Sequence, residues 1–356
     1  MNQKRMERVI ENMKREGLSQ IIVSSTASLY YLTGLWIDPH ERMIALYLDT
    51  TGRALLFGNE IFGIAPMEDL PLYTHKDSEN PVLALSRVIQ GGKLGIDKFW
   101  SSKFLIGLME LRPDMRPVLG SAPVDQARMR KDEEEQEIMR RNSRINDAVV
   151  ENVIAQVKEG AVECELAAEV NRLFRERGAD SSGRQTAAFG ANCADPHPKV
   201  DGTVLREGDS VIFDIFTPIG RYWCDMTRTV FYKTVSEKQR EVYELVKRAN
   251  LTAISKIRPG VVMAEIDKAA RDVITEGGYG PYFTHRLGHG IGLECHEPPD
   301  AAGNSETILE PGMIFSVEPG IYLPGEFGVR IEDLVLVTED GCEVLNKASK
   351  ELRVVE

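Results

Sequence analysis

Two pairs of carboxylates stand at spacings that could do chemistry. In VIFDIFTPIGRYWCDMTRTVF, residues 211–231, two apolar runs flank a Pro-Ile-Gly turn and each carries one aspartate, Asp214 and Asp225. Opposed residues of an antiparallel hairpin have position numbers with a constant sum. This pair centres the turn between Ile219 and Gly220, so the two side chains are expected to face each other. In FSVEPGIYLPGEFGVRIEDLVLV, residues 315–337, a turn centred on Gly325 sets Glu318 against Glu332 in the same way. Directly opposed Cβ atoms lie roughly 5 Å apart, where like charges are destabilising. An arginine could neutralise one such pair, and Arg228 and Arg330 are close enough in sequence to serve. Two matched pairs with the histidine-rich FTHRLGHGIGLECHEPP between them, at 283–299, point instead to metal ions. Four carboxylates and an imidazole form a mostly hard oxygen donor set, suited to Mn²⁺, Co²⁺ or Zn²⁺ and able to bridge two ions about 3.5–4 Å apart.

Other motifs fail on spacing. HExxH requires a second histidine four residues on, and His296 is followed there by Asp300. Gly288, Gly290 and Gly292 do not keep GxGxxG spacing or open a βαβ unit. No GxSxG elbow is present.

The elements that must position these residues follow from periodicity. Residues 2–16 read as a helix, and IIVSS, MIALYLD, RALLFG and KLGID as strands, so the first 120 or so residues form an α/β domain. A charge-dense stretch follows Pro123, in which Asp132 and Glu135 make a capping box, and the domain boundary is expected at 124–132. Helices at 132–157 and 163–178 lead to the aspartate hairpin. Ser236 with Gln239 then opens a helix with apolar positions Val242, Val246, Ala249, Ala253 and Ile257, a second helix covers 263–277, and the glutamate hairpin closes the order. Helix, helix and acidic hairpin recurring twice is read as an internal duplication.

Composition bounds the rest. The 356 residues are 42% hydrophobic and 28% charged, which suits two globular domains. A net charge of -12 disfavours nucleic-acid binding. No apolar run reaches membrane-spanning length, and the N-terminal stretch lacks the pattern of a signal peptide, so no membrane partner is expected. Five cysteines without a CxxC pair fit reduced thiols in the cytoplasm. Cys224 and Cys295, beside Asp225 and His296, are expected to pack in the interior. His75 is expected to be an ordinary core or surface residue.

Taken in order, DIFTPIGRYWCDMTRT, FTHRLGHGIGLECHEPP, FSVEPGIY and GVRIED resemble the motifs of the pita-bread metallopeptidases, the family of methionine aminopeptidase, aminopeptidase P, prolidase and metal-free creatinase. The resemblance runs through most of residues 132–350. It implies an α+β chain with a creatinase-like N-terminal α/β domain at 1–124 and a pita-bread catalytic domain at 125–356. It further implies that Asp214, Asp225, His289, Glu318 and Glu332 hold two divalent ions, Mn²⁺ first with Co²⁺ or Zn²⁺ as alternatives. His197, His285, His296 and Arg330 are placed around the substrate. YLTGLWIDPHERM resembles an early loop that reaches the neighbouring active site in dimeric relatives, which gives His40, with Asp38, a substrate-side role in a homodimer.

The activity implied is hydrolysis of the bond between an N-terminal residue and proline, in dipeptides or short peptides, by a hydroxide bridging the metals. His296 would stabilise the oxyanion, Glu318 would shuttle the proton, and His197 and His285 would shape the pocket. Two positions depart from the family pattern. Phe216 stands where relatives commonly have glycine, and Asp300 where prolidase-type relatives often carry an arginine suited to a dipeptide carboxylate. Hydrolysis or lysis of a small non-peptide metabolite, or a catalytically silent binding protein on the same fold, are the alternatives.

Overall fold

The charged opening stretch forms helix α1 (Gln3–Arg15), capped by the Asn2 side chain, which buries Met6, Val9 and Met13 at spacings of three and four. In the computed structural model, which describes residues 1–356, α1 belongs to the first of two compact units, Met1–Arg128 and Met129–Glu356. The first unit continues through β1 (Gln20–Val23), α2 (Thr26–Thr33), β2 (Ile44–Asp49), β3 (Ala54–Asn59), β4 (Leu72–His75), α3 (Leu83–Ser86), β5 (Gly92–Ile96), α4 (Ser102–Leu111), β6 (Met115–Leu119) and α5 (Ala122–Met129). Its strands form one six-stranded mixed sheet in the order β4-β3-β2-β1-β5-β6. A core built on Ile22, Tyr47, Phe57, Leu85 and Trp100 backs it. His75 is buried at the end of β4, as an ordinary interior histidine.

The second unit contains α6 (Glu133–Ile154), α7 (Glu163–Glu176), β7 (Thr186–Phe189), β8 (Ser210–Ile219), β9 (Tyr222–Tyr232), α8 (Glu237–Lys256) and α9 (Met263–Glu276). It continues through β10 (Gly288–Gly290), β11 (Glu297–Ala301), β12 (Ile314–Val317), β13 (Gly320–Leu323), β14 (Phe327–Arg330), β15 (Asp333–Val337), β16 (Cys342–Val344) and β17 (Val354–Val355). Its sheets run β17-β9-β8-β7, β11-β10-β12-β15-β16 and β13-β14. Both capping boxes, Asp132 with Glu135 and Ser236 with Gln239, are formed.

The duplication extends to single side chains. α6 and α7 share a core with β8 and β9, while α8 and α9 share one with the strands between Ile314 and Val337. Asn146 and Asn250 lie equally far beyond their N-caps, Asp132 and Ser236. Asn146 donates its amide to the Ile215 carbonyl at 3.1 Å, and Asn250 donates to that of Val317 at 2.9 Å. Ile215 follows one acidic residue and Val317 precedes another, so each helix pair grips one half of the acidic cluster.

The hairpin register corrects one expectation. β8 and β9 join through Gly220 and Arg221, with φ of 60° and 73°, the two positive angles of a type I′ turn. Ile219 pairs with Tyr222, so Asp214 faces Thr227 and Asp225 faces Phe216. The two aspartates are therefore diagonal neighbours on one face, rather than directly opposed. The second hairpin keeps the expected register. Val317 pairs with Asp333 and Gly320 with Arg330, which brackets Glu318 and Glu332 where the chains cross from one sheet to the other.

Candidate metal centre

The GHG of residues 288–290 is a strand squeezed between two others. A Cβ on Gly288 would lie 2.0 Å from the Ser316 carbonyl, and one on Gly290 2.4 Å from that of Pro298. Only glycine lets β10 approach so closely, which sets His289 in the ladder facing the acidic hairpins. Its backbone N–H donates to Ser316 Oγ, and that hydroxyl donates to Glu318 Oε1, both at 3.0 Å.

Ligand atoms of Asp225, His289 and Glu332 all lie within 4.8 Å of one another, and all three residues are buried. His289 Nδ1 is 3.1 Å from the Gly290 carbonyl, which can only accept, so Nδ1 carries the hydrogen. The Nε2 lone pair therefore points at Glu318 Oε1, 3.4 Å away, and Asp225 Oδ2, 4.0 Å away. Protonation does not relieve the contact, because burial, with His296 second, holds the imidazole down at about 3. Asp225 Oδ1 is buried without a hydrogen-bond partner. Burial and then the neighbouring carboxylates push Asp225 and Glu332 upwards. Burial also carries Glu318 to about 7, against the pull of Arg330. A lone pair and an orphaned carboxylate oxygen converging on one space are the donor set of a divalent cation, so the residues present fit such an ion.

Arg330 belongs to both readings of the acidic pairs. Its Nη2 bonds Asp214 Oδ2 at 2.8 Å, while Nε reaches Thr227 Oγ1 and Nη1 reaches Tyr322 Oη and the Pro196 carbonyl. Thr227 donates in turn to Glu332 Oε2 at 2.7 Å. One arginine thus pairs directly with Asp214 and makes no hydrogen bond to the remaining three carboxylates. Arg228 points elsewhere, binding Asp333 at 2.7 Å.

These residues line a cavity of about 560 Å³, with His197, His285, His296 and Phe216 in its wall. His285 Nδ1 is 2.7 Å from the Arg286 carbonyl and must donate, so its Nε2 accepts from Tyr322, whose oxygen accepts from Arg330. Burial and then Arg330 bring this imidazole down to about 4. The His296 ring stands edge-on to His289, with centroids 4.1 Å apart, and burial lowers its pKa as well. His197 is exposed at the rim. His40 lies in the other unit, exposed at φ 47°, with its N–H on Asp38 Oδ1.

The cysteines divide. Cys224 is buried behind the strand, its thiol donating to the Thr217 carbonyl. Cys295 departs from the expected packing role. It follows an irregular segment where strand alternation does not apply, lines the cavity, and places Sγ 3.6 Å from Asp225 Oδ2. Asp300 carries an ion pair with Arg286 at 2.6 Å. Sequence reasoning missed Tyr322, Thr227 and Ser316, which only the fold brings to the ligands. A pattern signal did exist for Asn146 and Asn250, amides within the apolar stripe of a helix.

The model of metallopeptidase family M24 matches residues 137–339, and that of the creatinase/prolidase N-terminal domain matches residues 5–130. A putative dipeptidase of Bacillus subtilis, YkvY, is 32% identical over 99% of both chains. Among solved structures, a dipeptidase from Pyrococcus horikoshii has a TM-score of 0.92 at 34% identity, covering 99% of this chain and 100% of its own. A prolidase from Thermococcus sibiricus scores 0.91 at 32% identity over the whole of both chains. An Xaa-Pro dipeptidase from Bacillus anthracis scores 0.89 at 31% over 99% of each. No helix of this chain is long and apolar enough to cross a membrane.

Proposed function

This chain belongs to metallopeptidase family M24, and from that premise we propose that it hydrolyses the bond between an N-terminal residue and proline in dipeptides or short peptides. Asp214, Asp225, His289, Glu318 and Glu332 hold two divalent ions in this reading, Mn²⁺ first. The observation that carries it is the neutral His289, whose Nε2 lone pair is aimed at two carboxylates. Such ions supply a Lewis acid for the scissile carbonyl and lower the pKa of a water near it.

The chain's own groups do the rest. Glu318, held by the Ser316 hydroxyl beside His289, takes a proton and passes it to the departing proline nitrogen. Neutral His296 offers an N–H to the carbonyl oxygen as charge develops there. The single ring hydrogen of His285 is committed to the Arg286 carbonyl, so this residue shapes the wall and moves no proton. His197 closes the rim over the substrate. Arg330 holds Asp214 in place and supplies positive charge for the peptide's far end. His40 acts on substrate from a second copy in a cytoplasmic homodimer, a state that sedimentation velocity checks.

The test is metal content by elemental analysis of protein purified without added metal, together with hydrolysis of Ala-Pro and Ala-Pro-Ala with and without Mn²⁺, Co²⁺ or Zn²⁺. Close to two ions per chain with release of alanine from both peptides supports the reading. Two ions without release from either would overturn the peptide substrate and favour a non-peptide one.

A further inference from the structure

We propose that Phe216 selects the side chain of the substrate's first residue, favouring a large apolar group over glycine or an acid; this rests on the peptidase reading above. Among the residues lining the cavity, the ones with neither a charge nor an imidazole are Pro196, Phe216 and Cys295. A peptide cut after its first residue presents its free amino terminus and scissile carbonyl at the acidic cluster that would hold the ions, with a pyrrolidine ring at the other end. Pro196 sits on the cationic side, its carbonyl held by Arg330 Nη1 at 3.0 Å and His197 next in sequence. Phe216 sits on the anionic side. It faces Asp225 directly across the β8–β9 ladder, and side-chain alternation puts it on the same face as Asp214. Cys295 Sγ, against Asp225 Oδ2, continues the apolar surface on the other flank. The residue whose amino group meets the aspartates therefore lays its side chain on Phe216.

The strand that carries the ring is held firmly. The Gln185 side chain, buried just ahead of β7, prolongs the ladder by accepting from the Phe216 N–H at 3.1 Å and donating to its carbonyl at 2.8 Å. Trp223 backs the ring, with centroids 6.2 Å apart. An aromatic surface rewards apolar contact and offers a carboxylate side chain no partner, and pocket contacts of this kind discriminate by roughly 10–200-fold.

The experiment compares kcat/KM for Leu-Pro, Gly-Pro and Asp-Pro in the Mn²⁺-loaded full chain and in Phe216→Gly and Phe216→Leu. Wild type is expected to prefer Leu-Pro to both others by about tenfold or more. Phe216→Gly is expected to remove most of that ratio, and Phe216→Leu to restore much of it. Metal content and thermal midpoint are measured on each variant, and Phe216→Thr, a strand former without the ring, is read in place of the glycine variant if that one does not fold. Cleavage of all three peptides with ratios unmoved by the substitution overturns the role of Phe216 while leaving the peptidase reading intact. Cleavage of none by wild type overturns both.

Discussion

Around the acidic cluster, hydrogen positions settle which side chains are free to react. His289 and His285 each spend their one ring hydrogen on a backbone carbonyl, so neither is a proton donor to substrate, and the proton path is left to Glu318. In Glu318→Gln protein reconstituted until elemental analysis shows full metal, kcat is expected to fall roughly 10²–10⁴-fold. Normal turnover with full metal would remove Glu318 from the proton path. The same groups set how the metal-free protein responds to pH. Glu318, raised from 4.5 to about 7, binds its proton more tightly folded than unfolded, so stability is gained as pH falls from 8 through 7. His285 and His289, lowered from 6.5 to about 4 and about 3, act oppositely, and stability is lost as pH falls below 6.5. Asp225 and Glu332, also raised by burial, add to the gain, so thermal midpoints after chelation should rise as pH falls from 8 to about 6.5. Saturating Mn²⁺ should flatten the alkaline limb by neutralising the carboxylates. A midpoint rising steadily from pH 6 to 8 without metal contradicts the assignment.

The helices carry a matched pair of predictions. Asn146→Ala and Asn250→Ala each leave a buried carbonyl without its donor, next to Asp214 and Glu318 respectively, and each is expected to cost about 1–3 kcal/mol of stability in urea titrations. Both should weaken metal binding, by about 10–100-fold as for other groups that orient ligands. An effect confined to one of them would deny the duplication its mechanical meaning. Much of this element order was legible in the sequence, since capping boxes and hydrophobic spacing are local signals. Gly325, alone at the tip of an odd-length loop, likewise fixed the glutamate register. The turn of the aspartate hairpin lies one position further along, which moves each partner by two residues, because nothing in residue type announces that Arg221 takes a positive φ beside Gly220. Cys224 could be placed by alternation because it lies in a regular strand, whereas Cys295 follows a bulged and irregular segment that has no period to read. Tyr322 was unreadable, since its role comes from a hydroxyl that only tertiary folding brings to His285.

Over the whole chain, each compact unit has a hydrophobic core of its own, and all five candidate ligands belong to the second. Differential scanning calorimetry is expected to resolve a transition that moves with metal and one that does not, the shift approaching about 2.7 kcal/mol at free metal a hundredfold above Kd. Equal movement of the entire unfolding profile would mean that the two units melt as one. Within the second unit, Asp214 and Asp225 hang from the α6–α7 half, whereas His289, Glu318 and Glu332 hang from the α8–α9 half. A cation bridging these side chains acts as a two-key lock, since opening either half takes away part of the coordination. Its residence time is then set by the more fragile half, and the rate at which metal escapes to a chelator becomes a clock for local breathing that ordinary melting curves do not see.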